Sequence, residues 1–156
     1  MNAVVYTDGS GTTGGPAGIA YVGIVQTETM DVDIEGSMPL KNATNQQAEI
    51  LAAAYALTDL TPCESVILYS DSEYVVKGAS GWISGWIRRD WRTASGSPVK
   101  NQPHWKRLLA AIERHKMVEF RWVRGHAGHP ENERADKLAG EARQLARDHA
   151  LMEGLA

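Results

Sequence analysis

SVILYSDS, residues 65–72, is a continuous β-branched and aromatic run that closes on an acid and a hydroxyl residue. Such a run predicts a strand over residues 65–70, covered on both faces as in sheets packed between helices. Asp71-Ser72 ends the strand and starts another helix. On its N-terminal side, a helix is expected from Thr44 or Asn45 to about Leu60, where Thr61-Pro62 stops it. Ile50, Ala53, Ala54 and Leu57 fall on one stripe of that helix, and Leu51, Ala52 and Tyr55 widen it. The helix is therefore expected to be buried over much of its circumference. A buried helix feeding a buried strand is the signature of an α/β fold.

Toward the N-terminus the pattern is of strands. Residues 3–8 are a short apolar run ending at Asp8-Gly9-Ser10-Gly11, and residues 17–26 (AGIAYVGIVQ) are a second candidate strand after a Gly/Thr/Pro stretch. Over residues 30–36, Met30, Val32 and Ile34 alternate with Asp31, Asp33 and Glu35, the period of a half-buried antiparallel strand. Three strands in succession suggest a meander. Toward the C-terminus the sequence predicts a short helix around Gly81–Arg89, a polar loop, a helix from about Pro103 to His115 and a strand from Met117 to Val123. The loop Gly125-His126-Ala127-Gly128-His129-Pro130 then feeds a last helix from about Glu131 to Asp148, with Pro130 suited to begin it. No repeat or linker interrupts the pattern, so residues 1–156 are read as one α/β domain of five strands with helices on its faces. Residues 149–156 are expected to fray.

The chain of 156 residues carries a net charge of −3, and 43% of it is hydrophobic, which excludes a disordered or fibrous protein. The charge is unevenly placed. Between Trp82 and Arg107, the bases Arg88, Arg89, Arg92, Lys100, Lys106 and Arg107 face the single acid Asp90, a local +5 that leaves −8 for the rest. Four of the five tryptophans, Trp82, Trp86, Trp91 and Trp105, share that window. The single cysteine, Cys63, cannot form an internal disulfide, which suits a reducing compartment; as a lone residue after Pro62 it reads more readily as a bystander than as a reactive thiol. No signal peptide or apolar run of ~18 residues is evident, so a cytoplasmic location is expected.

Three acids sit where an isolated charge is costly. Asp8 and Asp71 lie at the C-terminal ends of apolar strands, where ligand sites of open α/β sheets gather. Glu49 is the only acid between Met38 and Thr58, one turn into an apolar helix with no Lys or Arg within a helical turn. A buried, unpaired carboxylate is normally protonated, paired or bound to a cation. Each acid alone has an ordinary reading: Asp8 as a turn residue, Asp71 as a helix N-cap, Glu49 on a narrow polar side of its helix. If the two strands are neighbours and the helix packs over them, the three converge. Oxygen ligands of this kind select hard cations such as Mg²⁺ or Mn²⁺. The five histidines form no zinc spacing, and no GxxxxGK[ST] phosphate loop is present, so metal-assisted hydrolysis of a phosphodiester fits better than nucleotide-driven chemistry.

The segments YTDGSG (6–11), TNQQAEILAAAYAL (44–57), YSDSEYVV (69–76), GWISGWIRRDWRTASGSPVKN (81–101) and WVRGHAGHPENERADKLA (122–139) occur in an order that resembles type 1 ribonuclease H. The resemblance spans about residues 3–145. The basic, tryptophan-rich stretch of about residues 81–105 resembles the protrusion of the bacterial form. The resemblance implies a ribonuclease H-like fold, a five-stranded mixed sheet of antiparallel meander plus parallel strands flanked by helices. It implies endonucleolytic hydrolysis of the RNA strand of an RNA–DNA hybrid by an enzyme expected to be monomeric, with two divalent ions, Mg²⁺ or Mn²⁺, leaving 5′-phosphate and 3′-hydroxyl ends.

The same resemblance assigns Asp8, Glu49, Asp71 and Asp136 as metal-binding carboxylates. Only the first three are reached from the residues themselves, since Asp136 is one of several acids on the last helix. His126 resembles the family's mobile loop histidine, a proton carrier or product-release aid. Asn132 matches a usual asparagine but also reads as a plain first-turn residue. Thr44 and Asn101 match contacts to a DNA-strand phosphate, and Asn45 and Gln46 match residues that reach the minor groove. Trp82 resembles the aromatic that packs on the DNA sugar backbone, whereas Trp86 and Trp91 read better as core. Arg88, Arg89, Arg92 and Lys100 would supply sequence-independent attraction.

The chain departs from the pattern at four places. GSGTTGGPAG (9–18) replaces a loop that commonly carries asparagine, leaving Thr13 as the substitute; Gln47 replaces a common arginine; Asn42 stands at a phosphate-binding arginine; and Glu73 stands at a frequent glutamine. These departures are expected to weaken the grip on substrate without touching the carboxylates. Two rivals are a non-catalytic hybrid-binding module and an integrase- or resolvase-like DNA-processing enzyme on the same fold. The four carboxylates count against the first, and the Asn45-Gln46 pair with the basic protrusion against the second.

Overall fold

The computed structural model describes residues 1–155. The apolar N-terminal runs form β1 (Asn2–Ser10), β2 (Thr13–Gln26) and β3 (Asp31–Thr44), followed by α1 (Asn45–Asp59) and β4 (Ser65–Ser70). A helical run follows, made of α2 (Glu73–Lys77), a π-helical turn (Gly78–Trp82) and α3 (Ile83–Arg88). Next come α4 (Gln102–Ile112), β5 (Val118–Trp122) and α5 (Pro130–Leu155). The five strands form one sheet in the order β3-β2-β1-β4-β5. β1, β2 and β3 pair antiparallel, while β4 is parallel to β1 and β5 parallel to β4, so the sheet is mixed as expected.

Several boundaries differ from the sequence reading for identifiable reasons. The Gly/Thr/Pro stretch is no long loop: β1 runs to Ser10 and β2 starts at Thr13. Register shifts between Thr13 and Ala17, with Gly14 at φ +122°, let β2 keep pairing with the end of β3. β3 runs on from the expected end near Gly36 to Thr44. Pro39 is tolerated because β3 is an edge strand paired only to β2. α5 runs beyond the expected end near Asp148 to Leu155; Ala156 lies outside the described residues.

α1 and α5 lie on opposite faces of the sheet. α1 covers β1 and β2 on one side and packs against α4 on the other, which is why Ala48, Ile50, Ala52, Ala53, Ala54, Ala56 and Leu57 are all buried. α5 lies across β1, β2 and β3, and comes so close to β2 that the backbone of Ala139 and Arg143 fills the place of a Cβ on Gly18. Arg134 on α5 clamps Glu35 on β3 with two hydrogen bonds of 3.1 and 3.0 Å.

β4 is less enclosed than its composition suggests. Val66, Leu68 and Ser70 are buried, whereas Ile67 and Tyr69 on the other face are half-buried, with Tyr69 stacked on Tyr6 at 4.7 Å. α5 reaches over the β1–β2–β3 side, and an aromatic pair with Arg121 above Tyr69 does part of the covering at β4.

The basic segment is rooted in the core by aromatics. Trp105 is completely buried and occupies the space over Gly78, so a side chain there would strike the indole. Trp86 packs on Trp105 at 5.3 Å and links Trp82 and Trp91 to it, in line with the core reading of Trp86 and Trp91. At the far end of α1, Arg114 Nη1 donates to the carbonyls of Leu57, Thr58 and Leu60, and His115 Nδ1 accepts the Cys63 N–H at 3.0 Å. Burial pushes the Cys63 thiol up and its Sγ–H faces the Thr61 carbonyl at 3.1 Å, the setting of an inert thiol. Among the described residues, no helix is long and apolar enough to cross a membrane.

Candidate active site

The parallel register sets the site. Thr7 pairs with Ser70, so Asp8 on β1 and Asp71 just beyond β4 emerge side by side at the C-terminal edge of the sheet. Glu49 enters from the start of α1. Asp8 and Glu49 are 3% and 5% exposed, and one carboxylate oxygen from each of Asp8, Glu49 and Asp71 lies within 4.8 Å of the others. The convergence expected from the three isolated acids is thus present in the structure.

Glu49 is held by the backbone of β1. Gly9 N–H donates to Glu49 Oε1 at 3.0 Å, while Glu49 Oε2 is buried with no partner. α1 packs so closely on Gly9 that a Cβ there would overlap the backbone of Ala48 and Glu49. Among the described residues, none of the three acids forms a salt bridge.

Crowding without a cation shifts all three carboxyls upward, toward their protonated forms. Burial, then the charges of Glu49 and Asp71, pushes Asp8 far above the usual carboxylate range. Burial and the Asp71 charge raise Glu49 against the opposing hydrogen bonds from Asp8 and Gly9. Asp71 is raised by burial and by Asp136, with the nearby His126 acting in the opposite sense. A cluster of hard oxygen donors, one of them an orphaned buried atom, fits a divalent cation such as Mg²⁺ or Mn²⁺.

Asp136 stands at the rim. It is exposed on α5, outside the tight triad, yet it helps to raise Asp8 and its charge acts on Asp71 and Glu49. His126 is exposed on the loop between β5 and α5, at φ +55°. Asn132 is 2% exposed and its Oδ1 has no partner, so it is no solvated first-turn residue.

The residues expected at the substrate fall into two groups. Thr44 caps α1, with Asn45 and Gln46 exposed in its first turn beside the carboxylates' helix. Asn101 caps α4 at φ +60° and reaches α1 through Gln47, whose Nε2 donates to Asn101 Oδ1 at 3.1 Å. Trp82 (41% exposed), Arg88, Arg89, Arg92 and Lys100 lie on the exposed part of residues 82–100 and are not part of the carboxylate cluster. Of the departures, Glu73 pairs with Lys77 at 3.2 Å, which offsets its charge, and Asn42 is exposed on β3.

Two contributors are not evident from sequence. Gly9 reads there only as a turn residue, although a glycine next to an acid at a strand end is a signal of close approach. Trp122 reads as one residue of an alternating strand, but its indole N–H donates to the Asp71 carbonyl at 3.1 Å and ties β5 to the catalytic edge.

The comparisons with known proteins agree with this geometry. The RNase H family model matches residues 1–144. The chain is 47% identical to Ribonuclease H of Granulibacter bethesdensis over 140 residues, covering 89% of this chain and 90% of that one. It is 43% identical to Ribonuclease H of Bradyrhizobium sp. (strain ORS 278) over 143 residues, covering 92% and 90% of the two chains. Among solved structures it resembles LC9-RNase H1, a type 1 RNase H with the type 2 active-site motif, with a TM-score of 0.80 and 28% identity over 93% of this chain and 73% of that one. A match over nearly the whole chain, on a fold that gathers acids at the sheet edge, has one meaning: the chain belongs to the ribonuclease H family and is a ribonuclease H of type 1.

Proposed function

We propose that this chain, acting as one catalytic domain and as a monomer in the cytoplasm, cleaves the RNA strand of RNA–DNA hybrids by metal-assisted hydrolysis. The observation that carries this reading is the Asp8, Glu49 and Asp71 cluster, with Glu49 Oε2 buried and unpartnered. Asp8, Glu49, Asp71 and Asp136 are the residues that would hold two Mg²⁺ or Mn²⁺ ions. When bound, the ions would lower the pKa of the attacking water and offset charge on the scissile phosphate. The water oxygen would bond to phosphorus as the bond from phosphorus to the 3′-oxygen breaks and that oxygen takes up a proton, leaving a 3′-hydroxyl and a 5′-phosphate.

The chain's own residues do the remaining work. Gly9 N–H fixes one Glu49 oxygen and leaves the other free for a cation. His126, exposed on its loop, carries a proton to or from the reacting oxygens. Asn45 and Gln46 read the 2′-hydroxyl side of the minor groove, and Thr44 and Asn101 donate to a DNA-strand phosphate. Trp82 packs on the DNA sugars, and Arg88, Arg89, Arg92 and Lys100 provide salt-sensitive attraction.

The test is a gel with a labelled RNA strand paired to DNA or to RNA, with Mg²⁺ or Mn²⁺, for the native chain and for Asp8→Asn and Asp71→Asn. Cleavage of the hybrid alone, with 5′-phosphate products and loss in both variants, is expected. Full activity in either variant, or preferred cleavage of duplex DNA, would overturn the reading.

A further inference from the structure

We propose that Gln47 is a positioning residue that sets the orientation and spacing of the two neutral phosphate donors, Thr44 and Asn101. This rests on the reading above, in which those two residues receive a phosphate of the DNA strand. By the resemblance described above Gln47 takes the place of an arginine, and a lost cation would ordinarily mean a weaker grip. Its surroundings assign it another role.

Both ends of the Gln47 amide are engaged. Oε1 accepts the Thr44 backbone N–H at 3.0 Å, and Nε2 donates to Asn101 Oδ1 at 3.1 Å. Asn101 Nδ2 donates to the Tyr74 hydroxyl at 3.2 Å, and that hydroxyl also accepts the Trp105 indole N–H at 3.2 Å. Trp105 is completely buried, so the relay is anchored in the core.

Only one set of amide orientations satisfies this chain. The Thr44 N–H can only donate, so it must meet the Gln47 oxygen, which turns the Gln47 amino group toward Asn101. Asn101 must then present its oxygen to Gln47 and its amino group to Tyr74. The second Asn101 Nδ2 hydrogen is left free. Thr44 Oγ1 accepts the Gln47 N–H at 3.1 Å, so the Thr44 hydroxyl hydrogen is likewise free to donate outward. Gln47 thereby leaves one donor on each of two helix starts and ties the starts together. Asn101 itself sits at φ +60°, in the left-handed region that asparagine adopts more readily than other non-glycine residues, and the relay fixes its side chain there.

A residue that merely capped α1 would act through Thr44 alone, and Gln47→Glu separates the two roles. The carboxylate still accepts the Thr44 N–H, since glutamate completes a capping box as glutamine does, but it cannot donate to Asn101. The expected result is a melting temperature close to that of the native chain and a shifted, broadened Asn101 side-chain amide signal in ¹⁵N–¹H spectra of the substrate-free protein. KM for hybrid should rise about fivefold with kcat nearly unchanged, as for loss of one hydrogen bond. In an Asn101→Ala background most of that KM effect should vanish.

An undisturbed Asn101 signal, or a KM effect of equal size in the Asn101→Ala background, would overturn the proposal, the latter because simple repulsion of phosphate by the new charge needs no Asn101. Thr44→Ala and Asn101→Ala variants that both keep the native KM would remove the phosphate reading itself, and the proposal with it.

Discussion

Gly9 donates its N–H to Glu49 at 3.0 Å while the backbone of Ala48 and Glu49 occupies the space where a ninth-residue side chain would stand. One residue thus lets α1 approach β1 and aims the helix's buried acid. Gly9→Ala should force the two elements apart and cost about 1–3 kcal/mol of stability, the usual range for overpacking. It should also weaken Mg²⁺ binding, because Glu49 moves with its helix. Urea unfolding and Mg²⁺ calorimetry read the two effects; native values for both would show that the close approach is dispensable.

The crowded carboxylates make stability depend on pH in an unusual direction. Asp8 and Glu49 are both raised above the ordinary carboxylate range, first by burial, then by the charges of Glu49 and Asp71 on Asp8 and by the charge of Asp71 on Glu49. From about pH 4 upward the unfolded chain has released protons that the native state still binds, so stability without metal falls as pH rises. The fall between pH 5 and 8 should be on the order of 2 kcal/mol, the free energy of retaining one proton over part of that interval. Asp8→Asn should flatten this slope and raise the metal-free melting temperature, and Mg²⁺ should offset the loss in the native chain. Thermal melts across that range in EDTA test it, and a slope unchanged by Asp8→Asn would contradict it.

These two residues also show what could be read from sequence. Asp8, Glu49 and Asp71 were legible because each is an acid in an apolar setting, an inconsistency that local structure alone does not resolve. Asp136 was not, because α5 also carries Glu131, Glu133 and Glu141, and only the packing of the helix decides which acid meets Asp8. Run composition and alternation marked the strands and suggested the meander of the first three, while the order of the sheet depends on pairings between distant runs; the length of β3 was hidden by Gly36 and Pro39, which break a strand pattern unless the strand lies at an edge. Gln47 looked like a loss of charge, since its partner Asn101 lies 54 residues away.

Trp122 is 48% exposed, so its indole contributes little to the core, yet its N–H holds the Asp71 carbonyl at 3.1 Å. Trp122→Phe keeps the ring and removes the donor. The expected outcome is a melting temperature within a few degrees of native, about tenfold weaker Mg²⁺ binding and a kcat lowered by a similar factor, as when a group supporting a metal ligand is lost. Mg²⁺ titration of the substrate-free variant separates this from a contact to substrate. Native Mg²⁺ affinity would place Trp122 outside the site's support.

The separation of charge in this chain predicts how it meets a polyanion. Arg88, Arg89, Arg92 and Lys100 are exposed in the basic segment, whereas the acids of the cluster are recessed at the sheet edge. Attraction through such side chains depends on release of counterions, so hybrid affinity should fall steeply with added salt. Replacing Arg88, Arg89 or Lys100 by alanine should lower the slope of log K against log salt by roughly one where that residue neutralises a phosphate. Arg92 should give a smaller change, because its Nη1 is engaged by the Gly96 carbonyl at 3.1 Å. The rate at saturating hybrid should stay near native, since none of the four belongs to the carboxylate cluster. Filter binding from low to moderate salt, with kcat measured alongside, tests both halves. A native slope in the Arg88, Arg89 and Lys100 variants together would move the electrostatic grip elsewhere on the molecule.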